Sequence, residues 1–333
     1  MVQANSLFSS FQKLNVLVIG DVMVDRYLHG KVDRVSPEAP VPVVHLQDRE
    51  DRLGGAANVA LNIKALGANP YLCSVIGNDA TADEFLKMLP EYNLSTKGIV
   101  QSNERKTTIK TRVIANSQHL LRVDTEDTHD LSQDEASTFV KQVKDLLETK
   151  EIHVILFQDY NKGVLSFEVI RELILEAIKR DIPTAVDPKF KNFWAYKHVS
   201  LFKPNLKEIK AQLNEPTTIT TENLVEVSRT IKSKLGNAYT MLTLSEKGLY
   251  VDDNEEHYLL PTTPRTIADV CGAGDTVISV AALCLAVGLP PKEIGELANL
   301  AGGQVCEHVG VVPVNKRQLE QEYQLFKERA AAS

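Results

Sequence analysis

Apolar and polar positions along this chain fall into blocks whose period switches repeatedly between strand and helix. Asn15–Gly20 (NVLVIG) is a short apolar run closing on Gly-Asp, which predicts a buried parallel strand. A helix is predicted over 55–66, with Ala57, Ala60, Leu61 and Ala65 at helical spacing and Gly67 as its stop signal. Residues 71–76 then read as a strand and 79–89 as a helix. From Leu131 the rhythm continues with strands at 153–158, 184–187 and 239–244, separated by helices near 132–149, 165–180 and 221–235. Two helices, 272–287 and 292–308, are predicted to close the chain. Such alternation, with near-continuous apolar strands, predicts an α/β fold: a mainly parallel central sheet flanked by helices on both faces. Ligands of such sheets sit at the carboxyl ends of the strands.

Two stretches break the rhythm. Residues 41–46 and 107–123 are rich in β-branched side chains with no helix between their strands, which predicts a small antiparallel sheet set apart from the main one.

A length of 333 residues suits one large α/β domain, or a core with a small accessory one, and 43% hydrophobic residues are enough for a substantial core. The formal net charge of −7 argues against a nucleic-acid binder with a broad basic face. It leaves room for a phosphate-bearing ligand, which a few local cations and helix N-termini can hold. Cys73, Cys271, Cys284 and Cys306 show no C-x-x-C spacing, so neither a zinc site nor a disulfide framework is expected. The first 12 residues lack the basic-then-apolar pattern of a signal peptide. The longest apolar run, 277–287, is far short of the roughly 20 residues of a membrane span. A cytoplasmic protein with no membrane partner is the expectation.

Four segments carry chemistry. Asp269–Thr276 (DVCGAGDT) runs straight into an apolar helix. Gly272 and Gly274 allow close backbone approach, and the helix start aims free N–H groups and a positive dipole end at an anion. Asp275 lies on that first turn, beside the anion's place; serving only as a helix cap is the other role open to it. A dinucleotide fingerprint would need glycine where Val277 stands, and no G-x-x-x-x-G-K-[ST] loop occurs. In the second segment Gly54, Gly55 and Asn58 open a helix, as a sugar-binding turn or as a plain one. The third holds Asn205 and Glu208, three apart after Pro204, where a helix starts. They could hold a hydrated magnesium ion directly or through water, or could simply cap that helix. In the fourth, Asp21 and Asp25 follow the first strand. Asp25 is the better acceptor for sugar hydroxyls, because Asp21 could instead fix the local turn.

Taken in this order, GGAANVA, the N-x-x-E of Asn205 and Glu208, and GAGDT resemble the ribokinase and phosphofructokinase-B family over about residues 14–325. The resemblance implies a ribokinase-like ATP-dependent sugar kinase, with residues 1–333 as one kinase domain. Gly272, Ala273 and Gly274 would form the anion hole, and Asp275 the catalytic base. ATP and Mg²⁺ would be the cofactors; Ser245, Glu246, Gly248 and Asn299 would lie along the nucleotide. The inserts near 26–46 and 105–123 would form a β-sheet lid over the sugar and pair with a second subunit into a homodimer.

The segments 21–44, 107–124 and 186–189 (VDPK) are further similar to kinases of D-glycero-β-D-manno-heptose 7-phosphate. That closer resemblance implies phosphorylation of the C1 hydroxyl, on the route to the lipopolysaccharide precursor ADP-heptose. Asp25, Gly54, Gly55 and Asn58 would hold the sugar, and Arg105, Lys110, Arg112 and Lys189 are the cations available for its 7-phosphate. No H-x-G-H motif occurs, so no nucleotidyltransferase domain is expected after the kinase. Cys271 stands where these kinases usually have threonine, which weakens any side-chain contact there. Other readings are a kinase of another sugar or sugar phosphate, and an idle sugar- or nucleotide-binding regulator.

Overall fold

Thirteen strands sort into two sheets among the described residues. The computed structural model describes residues 4–116, 118–213, 218–253 and 255–332. Its strands are β1 (Asn15–Gly20), β2 (Val22–Val35), β3 (Pro42–Gly55), β4 (Asn69–Gly77), β5 (Ile99–Ser102), β6 (Ile109–Ala115) and β7 (Gln118–Thr125), followed by β8 (Val154–Gln158), β9 (Thr184–Asp187), β10 (Leu201–Phe202), β11 (Tyr239–Thr243), β12 (Leu249–Asp252) and β13 (His257–Leu260). Its helices are α1 (Ala4–Phe11), α2 (Ala56–Ala65), α3 (Ala80–Glu91), α4 (Gln133–Thr149), α5 (Phe167–Lys179), α6 (Leu206–Leu213), α7 (Thr221–Leu235), α8 (Ala273–Ala286), α9 (Pro291–Val305) and α10 (Lys316–Ala332).

The larger sheet has nine strands in the order β13-β12-β11-β10-β9-β8-β1-β4-β5. It is parallel from β11 to β5, and β12 and β13 add an antiparallel edge. The five inner residues Val16–Gly20 of β1 and all five of β8 are buried, as expected of strands covered on both faces. One apolar cluster packs α1, α2, α8 and α9 on one face; the other packs α4, α5 and α7 on the opposite face. Helix α8 is apolar nearly all round, and every residue from Asp275 to Cys284 is buried, so it is a core helix rather than a surface one.

The smaller sheet is β3-β2-β6-β7. Here one expectation needs correction: β2 pairs with β6 in parallel, so the sheet is mixed rather than antiparallel. The cause is topological. Strand β2 continues outward from the end of β1 after the single residue Asp21, and β6 leaves the same side of the main sheet after β5. Two strands that leave one edge in the same direction must run parallel. Strand β7 is exposed along its whole length, and Val35, Leu46, Leu121 and Val123 of this sheet, with Val41 in the β2–β3 connection, are each more than half exposed.

The chain also closes differently from the expectation. Beyond the helix predicted at 292–308 lies α10, whose Leu319 and Tyr323 are buried against the α8–α9 face. Its remaining positions are largely charged, so its apolar stripe is thin.

Candidate active site

Polar residues stand at the carboxyl ends of four adjacent strands. Asp21 follows β1, Gln158 ends β8, Asp187 ends β9 and Lys203 follows β10. All four are buried. A buried charge persists only when paired, and Lys203 Nζ lies 3.0 Å from Asp187 Oδ2. Gln158 Nε2 donates to the same oxygen at 3.3 Å.

Helix α8 begins against this row. Gly272, at its N-cap, has φ 79°, in the left-handed region, and a Cβ there would lie 3.2 Å from Asn58 Nδ2. Glycine suits both the conformation and the space. The Cβ position of Gly274 is 3.8 Å from both Lys203 Nζ and Asp187 Oδ2, so the first turn of α8 faces that ion pair. Thr276 N makes the first i−4 bond, to Gly272 O. The N–H groups of Gly274 and Asp275 precede it and have no such partner within the helix, which is what an anion hole requires.

Asp275 is the centre of the site. Its Oδ2 accepts a hydrogen bond from Asn58 Nδ2 at 2.8 Å. Its Oδ1 accepts from the Tyr160 hydroxyl at 2.6 Å and from Gln158 Nε2 at 3.2 Å. Burial pushes its pKa up to about 6; the bonds from Tyr160 and Asn58 pull the other way, Asp187 adds to the rise and Lys203 relieves it. The alternative role as a helix cap is not what the side chain performs, since no side chain caps α8.

Asn58 sits on the first turn of α2, after Gly54 and Gly55. Gly55 caps that helix at φ 61°. At Gly54 a Cβ would stand 2.1 Å from Asp25 Oδ2, so only glycine lets Asp25 occupy its place. Asp25 Oδ1 receives Arg112 Nη1 at 2.5 Å, from β6 to β2. Arg112 and Arg52 also lie over the ring of Tyr27, at 5.3 and 4.9 Å. The structure groups Asp25, Gly54, Gly55, Asn58 and Arg112, with the Asn58 amide engaged by Asp275.

The other expected cations separate. Arg105 is a correction: its Nη1 donates to Lys162 O and its Nη2 to His129 O, both at 3.0 Å, and burial lowers its pKa. With both terminal nitrogens on backbone carbonyls, it ties down a loop. Lys110 is paired with Asp124 at 3.2 Å and with Glu126 at 3.4 Å, within the smaller sheet. Lys189 lies on the Asp275 side: its Nζ is 2.5 Å from Glu208 Oε1 and 5.6 Å from the centre of the Tyr160 ring. Burial disfavours its charge, but Asp187, Glu208 and Asp275 overcome that and raise its pKa.

Asn205 and Glu208 form a reciprocal cap. Asn205 Oδ1 accepts from Glu208 N at 3.0 Å, and Glu208 Oε2 accepts from Asn205 N at 2.8 Å. Glu208 is also buried, and its pKa is raised by burial and by Asp187.

The residues expected along the nucleotide meet at one segment. Thr262 Oγ1 donates to Glu246 O at 2.9 Å, and Asn299 Nδ2 donates to Pro261 O at 2.8 Å. Ser245 and Gly248 flank Glu246 in a tight turn with φ 58° and 99°. Cys271 is half-buried, with its thiol pKa pushed up to about 11 by burial and Asp269.

Gln158, Tyr160, Asp187 and Lys203 are the site residues that motif reasoning passed over. The signal was present: each is a polar residue at or within two positions of the end of a buried apolar strand.

A model of pfkB family carbohydrate kinases matches residues 13–317. The Bifunctional protein HldE of Magnetococcus marinus is 39% identical over 318 residues, covering 93% of this chain and 64% of that protein. The protein of the same name from Methylobacillus flagellatus is 39% identical over 317 residues, covering 95% and 64%. The chain thus spans less than two thirds of these curated relatives. Among solved structures, phosphofructokinase-2 from Escherichia coli in complex with fructose-6-phosphate superposes with TM-score 0.76 at 19% identity, covering 94% of this chain and 98% of that one. Arabidopsis thaliana ribokinase complexed with ribose and ATP gives 0.70 at 16%, covering 92% and 98%.

Proposed function

The chain belongs to the pfkB family of carbohydrate kinases and is a sugar kinase, and we propose that it transfers the γ-phosphoryl group of ATP to the C1 hydroxyl of D-glycero-β-D-manno-heptose 7-phosphate. The observation that carries the chemistry is Asp275: a buried carboxylate, its pKa moved toward neutrality, on the first turn of a helix whose free N–H groups face the same space.

In the proposed reaction the C1 oxygen attacks the γ-phosphorus as its proton passes to Asp275. The bond from that phosphorus to the bridging oxygen breaks, releasing ADP and the 1,7-bisphosphate. The N–H groups of Gly274 and Asp275 would face the charge on the transferring group, and one such donor is typically worth about 3–4 kcal/mol when removed. Lys203 and Lys189 bring positive charge to the same place.

The residues present fit a hydrated magnesium ion. Glu208 offers a buried carboxylate fixed by Asn205 and Lys189, and no group of three acidic, His or Cys side chains suited to binding a bare ion occurs among the described residues. Asn205 and Glu208 would hold the ion through its water shell, and the ion would screen the phosphate charges.

Asp25, Gly54 and Gly55 take the sugar. Arg112, with Arg52 beside it, is the cation we assign to the distal phosphate. The 39% identity with the two HldE proteins supports the heptose over other sugars. The exposed apolar residues of the smaller sheet support a homodimer through the lid. Light scattering that shows only monomer would count against that dimer. No described helix is long and apolar enough to cross a membrane, and dependence on ATP fits the cytoplasm.

The test is coupled ADP release with Mg-ATP, comparing the heptose 7-phosphate with ribose, fructose 6-phosphate and fructose 1-phosphate. Turnover confined to the heptose is the expected result. Turnover of another sugar alone would discard the substrate and keep the chemistry.

A further inference from the structure

The carboxylate of Asp275 has about four lone-pair sites, two on each oxygen. Tyr160 and Gln158 occupy both sites on Oδ1, and Asn58 occupies one on Oδ2. One site remains, on Oδ2. The Tyr160 hydroxyl makes the shortest of the three bonds, at 2.6 Å, and nothing in the backbone of Tyr160 alone would aim it there.

What aims it is Asp21. The loop after β8 folds around this one buried carboxylate: Tyr160 N donates to Oδ2 at 2.8 Å, Lys162 N to Oδ2 at 3.0 Å and Val164 N to Oδ1 at 3.1 Å. Asn161, between them, has φ 55°, in the left-handed region that asparagine enters more readily than most side-chain-bearing residues. Its N–H is held by Asp159 Oδ1 at 2.8 Å. Arg105 clamps the far end of the loop through Lys162 O. A loop gathered this tightly around a buried charge has a reason to be fixed, and its only side chain on the proposed base is Tyr160.

We propose that Tyr160 is a positioning residue for Asp275. Its hydroxyl saturates Oδ1 together with Gln158, leaving Oδ2 as the atom that receives the substrate proton, and Asp21 holds it in register by binding the loop backbone. The inference rests on Asp275 being the base, and it adds which oxygen acts and what keeps that oxygen ionised.

A donor to the ionised carboxylate favours the ionised form, so loss of the hydroxyl raises the pH at which the base is half protonated. The charged groups facing Asp275 are Asp187 on β9, Lys189 beyond it and Lys203 after β10, and a Tyr160→Phe substitution leaves all three in place.

The experiment compares the pH profile of kcat for the wild-type chain and Tyr160→Phe with one saturating sugar substrate, so that ionisation of the substrate's own phosphate is common to both. The acidic limb should move up by about one pH unit. Turnover should then be about fivefold lower near pH 6 and within a few-fold of wild type at pH 8. A limb that stays in place, whether or not kcat falls uniformly, overturns the inference. Should the Phe variant not fold, 3-fluorotyrosine at position 160 serves instead. As a stronger donor it should move the limb downward, and no movement there is equally fatal. Asp275→Asn is the control for the underlying reading. Near wild-type turnover in that variant removes the base itself, whereas an inactive Asp275→Asn with unmoved Tyr160 limbs removes only the role of Tyr160.

Discussion

Asn58 donates its side-chain amide to Asp275 Oδ2 at 2.8 Å across 217 residues of sequence. The bond joins the first turn of α2 to the first turn of α8, so the two glycine-rich motifs form one unit in space. Both turns need their glycines for the same reason: the Gly272 Cβ position lies 3.2 Å from the Asn58 amide, and the Gly54 Cβ position collides with Asp25.

Replacing Asn58 with Ala removes a donor to the ionised base and leaves the glycine turns intact. We expect kcat to fall about 10- to 100-fold and the acidic limb of activity to shift upward, read by steady-state kinetics from pH 5.5 to 8.5. Unchanged kinetics would show that the amide does not support the base.

Asp275→Asn should lower kcat by about 10²–10⁴-fold, the range for loss of a general base. ATP affinity by titration calorimetry should change little, since the N–H groups of the first turn remain. In the wild-type chain the carboxylate must be ionised to act, so activity should fall as the pH drops through about 6.

The buried pair Lys203–Asp187 separates stability from chemistry. Lys203→Met strands a buried carboxylate and should destabilise the chain by about 3–5 kcal/mol in urea unfolding. Adding Asp187→Asn removes the stranded charge and should restore much of that loss without restoring kcat. Recovery of full activity in the double variant would exclude Lys203 from phosphoryl transfer.

Asp159 carries a pKa pushed up to about 7, by burial first and then by Asp21. Its folded pKa lies above its unfolded one, so the native state holds the proton more tightly, and stability from this group declines as the pH rises from about 4 to 7. Asp159→Asn removes the penalty and is sterically compatible: the amide oxygen can still accept from Asn161 N, and the Tyr196 hydroxyl, which now donates to Asp159 Oδ2 at 2.8 Å, can turn to accept. The variant should be more stable than wild type at pH 8 by on the order of 4 kcal/mol, with the difference vanishing near pH 4.

Much of the main sheet was legible because its strands are unbroken apolar runs such as NVLVIG and VILFQ, which only a doubly covered sheet buries. The edge strands β12 and β13 and the two-residue β10 were not, because short strands give periodicity too little length to act on. The parallel β2–β6 pairing depends on where β1 and β5 end, which is a property of the assembled sheet. Within the site, Asp275, Asn58 and Asp25 stand in motifs with glycines that mark close backbone approach. Gln158, Asp187 and Lys203 stand in no such motif and become visible only once their strands lie side by side. Arg105 illustrates the opposite failure. Sequence marks a cation, but only packing shows that its guanidinium faces two carbonyls.

The burial of α8 on every side divides the molecule by timescale. A helix packed into the core exposes its amides to exchange with solvent only when the whole chain opens, whereas a solvent-facing strand such as β7 can open locally. In hydrogen exchange the amides of residues 277–284 should be among the slowest, and those of β7 among the fastest. The base therefore sits on the part of the molecule that moves least, and Arg112 and Asp25 belong to the sheet that can move around it.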